Sequence, residues 1–175
     1  MGAPCGKMRP EALRVALRTH RIEIRHAHAD DALAEARALF KEYASRLGRD
    51  LSLEDFAREL VDLPGSYGPP DGALLVAHCD GRPAGCVALR PMEEGLCEIK
   101  RLFVRHPFRG KGIGKRLALA VIAAARDRGY RAMRISFAPW MEEAIAIYRG
   151  LGFRPIEAYR AKAFEGSVFL ELTLG

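Results

Sequence analysis

The spacing of apolar positions along this chain changes period several times, and each change marks an element. Ile22 and Ile24 alternate with charged neighbours over 21–25, which predicts a short first strand. Leu33, Ala36, Leu39, Phe40 and Tyr43 then recur at intervals of three and four, the pattern of a helix capped by Asp30 or Asp31 and stopped at Gly48. Ser52 and Asp55 open a second amphipathic helix through Phe56 and Leu60. Residues 63–72, Leu-Pro-Gly-Ser-Tyr-Gly-Pro-Pro-Asp-Gly, are dense in turn formers and predict a loop. Beyond it, apolar runs at 73–79 and 84–90 flank Asp80-Gly81-Arg82-Pro83, a hairpin signal, and 96–104 makes a third strand. A helix over 113–128 stops at Gly129, a strand follows at 132–137, and a helix over 141–151 stops at Gly152. Two last strands are predicted at 153–161 and 167–174 around Gly166. This order, with no internal repeat, predicts one mixed α/β layered domain over 21–175. Residues 1–20, with Gly2, Pro4, Gly6 and Pro10, read as a flexible leader without the apolar stretch of a secretory signal.

Composition narrows the class. A chain of 175 residues buries roughly 70% of its unfolded surface and needs no disulfide scaffold. With 49% hydrophobic and 29% charged residues it is neither disordered nor fibrous. The longest apolar run, 117–125, is too short to span a bilayer, so no membrane is expected as a partner. Cys5, Cys79, Cys86 and Cys97 have neither C-x-x-C nor metal-finger spacing, and they read as reduced thiols serving as small hydrophobes. That usage favours a cytoplasmic location.

The net charge of +6 is local. Residues 100–116 carry Lys100, Arg101, Arg105, Arg109, Lys111, Lys115 and Arg116 without one acidic residue, and the rest of the chain holds 21 basic residues against 22 acidic. A focused site for a polyanion follows, and a nucleic-acid partner is not expected, because a duplex needs a broader basic face.

Within that cluster, Arg109-Gly110-Lys111-Gly112-Ile113-Gly114-Lys115 stands between a predicted strand and a predicted helix. Free backbone N–H groups, the partial positive charge of the helix start and glycines that admit close approach make this a pyrophosphate cradle. It lacks the Gly-Lys-Ser/Thr ending of a P-loop and the third glycine of a dinucleotide fingerprint. An ordinary basic turn is the alternative for the glycines alone.

Two segments carry a family resemblance. Glu98-Ile99-Lys100-Arg101-Leu102-Phe103-Val104 followed by Arg109-x-x-Gly112-x-Gly114 resembles the acyl-CoA motif of the GNAT superfamily of N-acyltransferases, and 144–153, with Tyr148 and Leu151-Gly152-Phe153, resembles its later motif. The resemblance covers roughly 21–174. It implies a single mixed, mostly antiparallel sheet of six to seven strands flanked by about four helices. It also implies an enzyme that moves an acetyl group from acetyl-CoA, as acyl-donor substrate, to a primary amine of a small molecule or protein, by direct attack in a ternary complex and without a metal.

Carried over by residue, Arg109, Gly110, Lys111, Gly112, Ile113, Gly114 and Lys115 would hold the CoA pyrophosphate, and the main chain of Leu102, Phe103 and Val104 the pantetheine arm. Tyr148 would be the acid that protonates the departing thiolate; helical spacing alone favours a core tyrosine, and the motif match reverses that reading. Glu98 is read either as the base that relays the amine's proton or as a strand glutamate paired with Lys100 or Arg101. Phe40, Glu42, Tyr43, the 64–70 loop with Tyr67, and Trp140 are the candidates for the acceptor side. His26, His28, Asp30 and Asp31 are read as a strand end and helix cap in preference to metal ligands. The rival from another class is a CoA-binding sensor without catalysis. A homodimer, with the terminal strands as its edge, is a further expectation from the resemblance.

Overall fold

A computed structural model describes residues 20–47, 53–93, 95–160 and 165–175. The expected leader lies, but for His20, outside the described residues, and so does Cys5. The elements are β1 (Ile22–His26), α1 (Asp30–Leu47), α2 (Leu53–Asp62), β2 (Ala73–Cys79), β3 (Arg82–Pro91), β4 (Leu96–Val104), α3 (Ile113–Asp127), β5 (Ala132–Phe137), α4 (Glu142–Gly150), β6 (Arg154–Pro155) and β7 (Val168–Thr173). The strands form one seven-stranded sheet in the order β1-β2-β3-β4-β5-β7-β6. All neighbours are antiparallel except β4 and β5.

Side chains alternate between two cores, as the pleat requires. Ala73, Leu75, Ala77 and Cys79 of β2 face the core that holds Leu117 and Val121 of α3 and Tyr148 of α4. Leu74 and Val76 face the opposite core, with Ala36, Leu39 and Phe40 of α1. Both faces of the sheet are therefore covered, which is why β2 and β3 read as continuous apolar runs and not as alternating ones. Each fully buried Leu or Phe contributes roughly 1.5–3 kcal/mol to holding these layers together.

The strand β4 departs from the expected uninterrupted one. Cys86 pairs with Phe103 and Ala88 with Lys100, so Val87 alone stands opposite Arg101 and Leu102. This is a β-bulge, and Arg101 adopts a φ of 59°, sparsely populated for a residue with a side chain. The extra residue reverses the pleat. Ile99 faces the α3 core, Phe103 faces the α1 core, and the Arg101 side chain lies over Tyr43 of α1 and Phe56 of α2. Gly85 pairs with Val104 just past the bulge, where a Cβ would collide with the Phe103 carbonyl oxygen and approach Leu117. Because backbone blocks the space, Gly85→Ala is expected to destabilise the protein by about 1–3 kcal/mol, read as a lower urea midpoint.

The predicted strand over 153–161 is corrected to the two residues Arg154–Pro155. Pro155 has no N–H for the ladder. After one more backbone bond, Ile156 N–H to Phe169 O at 3.0 Å, the chain leaves the sheet and turns Tyr159 and Arg160 toward Glu98. No helix among the described residues is long and apolar enough to cross a membrane.

Candidate active site

The parallel pairing of β4 with β5 is confined to Leu96↔Ala132, Cys97↔Met133 and Glu98↔Arg134. Past Glu98 the strands separate, since a bulge bends its strand and increases its twist. Residues 99–104 thus keep an edge that β5 does not use. Ile99, Lys100, Arg101 and Leu102 on one side and Ile135, Ser136 and Phe137 on the other line a cavity in this split, closed at its end by Met141, Ala144 and Tyr148.

Tyr148 is 1% exposed and packs its ring between Phe137 and Phe153, at centroid distances of 5.3 and 5.1 Å. Its hydroxyl has no hydrogen-bond partner among the described residues, a rare condition for a buried polar group. Burial raises the phenol's pKa well above its ordinary value. Of the two sequence readings, the core position of the ring is observed, and the same residue lines the cavity.

The split continues into a groove of about 510 Å³ over the start of α3. Leu102, Phe103, Val104, Arg109, Gly110, Gly112, Ile113, Gly114 and Lys115 all line it. Gly112 caps the helix at a φ of 75° and brings no side-chain oxygen, so the first N–H groups of α3 point outward without acceptors. Gly110 also takes a positive φ, 74°, and the two together turn the chain from the short helical turn His106–Phe108 into α3. Lys111 is the exception among the predicted cradle residues. Its ammonium lies 5.7 Å from the centre of the Phe108 ring, and it does not line the groove.

Glu98 does not stand where a base is needed. It is fully buried, and both oxygens are occupied: Oε2 accepts from Arg90 at 2.8 and 2.9 Å, and Oε1 accepts from the Tyr159 hydroxyl at 3.0 Å and from Arg160. Burial, the largest influence, raises its pKa, yet Lys100, Arg160 and Arg90 outweigh it and the net shift is downward. A saturated, weakly basic carboxylate is a fixed anion, so the base assignment is corrected; the expected partners Lys100 or Arg101 are replaced by Arg90 and Arg160. The pairing was hidden because Arg160 is distant in sequence and belongs to a stretch read as strand.

On the other side of β4, Arg101 donates two bonds to Glu59, at 2.8 and 2.5 Å, and the Tyr67 hydroxyl donates to the same carboxylate at 2.8 Å. These residues, with Lys100 and Arg90, surround a second cavity of about 520 Å³. Burial, first, lowers the Lys100 pKa to about 7; Glu98 opposes that, and Arg160, Arg101 and Arg90 add to it. Sequence reasoning met Lys100 only as one of the cations of 100–116 or a partner of Glu98, and missed Glu59 and Arg90, which carry no local signal. Among the earlier acceptor candidates, Tyr43 and Tyr67 reach these cavities, Phe40 is core, and Glu42 is held by Arg105 at 2.5–3.1 Å. His26 and His28 stack on each other at 5.0 Å. Among the described residues, one trio of possible metal ligands, His20, Cys79 and Asp80, has atoms within 4.8 Å of one another, with His20 and Asp80 already hydrogen-bonded at 2.7 Å.

Comparison with known proteins agrees with this geometry. An uncharacterised N-acetyltransferase of Schizosaccharomyces pombe is 33% identical over 144 residues, covering 81% of this chain and 88% of its own. A GNAT-family acetyltransferase structure from Staphylococcus aureus matches with a TM-score of 0.73 at 17% identity, covering 89% of this chain and 100% of that one. The structure of yncA from Salmonella typhimurium, solved with its cofactor acetyl-CoA, matches with a TM-score of 0.68 at 21% identity, covering 88% and 94%. These structures share the fold, and the model of the acetyltransferase (GNAT) family matches residues 25–153. The chain thus belongs to the acetyltransferase (GNAT) family and is an acyltransferase.

Proposed function

We propose that the protein transfers the acetyl group of acetyl-CoA to a primary amine by direct attack within one ternary complex. The observation that carries this reading is the Tyr148 hydroxyl, unpartnered among the described residues, in a split that shares Leu102, Met141 and Ala144 with the α3 groove. The outward N–H groups of 113–115 and the side chains of Arg109 and Lys115 suit the pyrophosphate. The unused edge of 102–104 suits the amides of the pantetheine arm, as an added strand would. In this reading the thioester lies beside Tyr148.

The amine nitrogen attacks the thioester carbonyl carbon, the carbon–sulfur bond breaks, and Tyr148 gives its proton to the sulfur. Its raised pKa does not forbid this, because the surroundings that disfavour a phenolate also disfavour a thiolate; in this protein burial pushes the Cys97 thiol up to about 12. No described residue lining the split is a carboxylate, and in this reading water takes the amine's proton.

The experiment is a screen of primary amines with acetyl-CoA, reading thiol release and the acetylated product. Amine-dependent release with intersecting double-reciprocal lines is expected. Parallel lines would mean an acetyl-enzyme intermediate, and saturable CoA binding without release across the panel would make the protein a CoA-binding module. A direct route also needs no enzyme thiol. Cys79, Cys86 and Cys97 are buried. An alkylating reagent at pH 7 is expected to leave all three unmodified in the native protein, as peptide mass mapping would show, with turnover unchanged.

A further inference from the structure

The acceptor cavity beside the split has an unusual charge balance. Arg101 is neutralised by Glu59, whose carboxylate it grips with two bonds. Glu98 is the one carboxylate among Arg90, Lys100 and Arg160, and Arg90 and Arg160 take both of its oxygens. Lys100 therefore reaches Glu98 only through space, and its ammonium has no hydrogen bond or ion pair among the described residues. Away from its exposed rim, the cavity is lined by the basic groups Arg90, Lys100 and Arg101 against the single carboxylate Glu59. The acidic residues Asp55 and Asp62 stand at its exposed rim.

Burial without a direct partner favours the neutral amine of Lys100, and an anion bound beside it restores the ammonium. Lys100 lines both this cavity and the split that Tyr148 closes. An anion held by Lys100 thus lies one short step from the reacting position, while a second ammonium there would be repelled. Resting on the acetyl-transfer reading, we propose that the acceptor is a small aminocarboxylate, such as a free amino acid, whose carboxylate is held by Lys100 while its neutral amine enters the split.

The test compares free amino acids with their own amides, under saturating acetyl-CoA, in the wild type and in Lys100→Met and Lys100→Arg. The amide's amine sheds its proton more readily, so reactivity alone favours the amide. The inference expects the reverse, a ten- to hundred-fold higher kcat/KM for the acid, as a charge-assisted contact would give. Lys100→Met is expected to erase that preference through KM, and Lys100→Arg to retain most of it. Should Lys100→Met fail to fold, the wild-type ratio and Lys100→Arg decide alone.

Equal or better turnover of amides by the wild type would overturn the inference while leaving acetyl transfer intact. A Lys100→Met protein whose kcat falls equally for acids and amides would overturn it in favour of a proton-accepting lysine. If no amine is acetylated at all, the acetyl-transfer reading fails first and this inference with it.

Discussion

Replacing Tyr148 by phenylalanine is expected to lower kcat by about 10²–10⁴-fold, the usual contribution of a positioned acid, while the protein becomes no less stable. The side chain is 1% exposed between Phe137 and Phe153, so phenylalanine keeps the ring contacts and opens no cavity. What it removes is a hydroxyl that no described residue binds. Loss of a buried, unsatisfied polar group is neutral or stabilising by up to about 1 kcal/mol. Urea denaturation and steady-state kinetics on the same preparation separate the two effects. A drop in stability with unchanged kcat would make Tyr148 a core residue only. KM for acetyl-CoA is expected to change little, since the hydroxyl acts on the leaving sulfur.

The second large effect is at the start of α3. Gly112→Asp places a carboxylate at the helix N-cap, where the outward N–H groups and the helix dipole now await an anion. The new side chain supplies that anion from within and repels the pyrophosphate. Charge-assisted hydrogen bonds contribute about 1.5–3 kcal/mol each, so displacing two of them raises KM for acetyl-CoA by at least about a hundred-fold. The φ of 75° adds strain, offset in part by the cap the aspartate makes, so stability is expected to move by about 1 kcal/mol or less. An unaltered KM would show that the acyl donor does not sit on this helix. Arg109→Ala is the milder companion, since its Nε already donates to the Val104 carbonyl at 3.3 Å and only part of the side chain is available to a ligand.

Most of the sheet and all four helices were legible because they rest on local signals. Hydrophobic spacing placed α1 and α3, Gly129 and Gly152 marked helix ends, and the turn at 80–83 fixed the β2–β3 hairpin. The cradle was legible for the same reason, being one continuous segment. The bulge at Arg101 was not, because an arginine carries no hint of a positive φ; only the tertiary pairing of Val87 against two residues reveals it. Glu98 misled the sequence reading since its partners, Arg90 and Arg160, are brought together by the sheet and by the chain leaving β6. Lys100 was likewise invisible as an individual. Of the seven cations in 100–116, Arg101 and Arg105 are held by Glu59 and Glu42, and that Lys100 is left to line both cavities is visible only in the fold.

The most direct measurement is a calorimetric titration of acetyl-CoA into the purified protein. The account predicts one site per chain with micromolar affinity, about 8 kcal/mol, and its loss in Gly112→Asp. Absence of heat and of any competition up to millimolar acetyl-CoA would contradict it, leaving the α3 groove to some other anion.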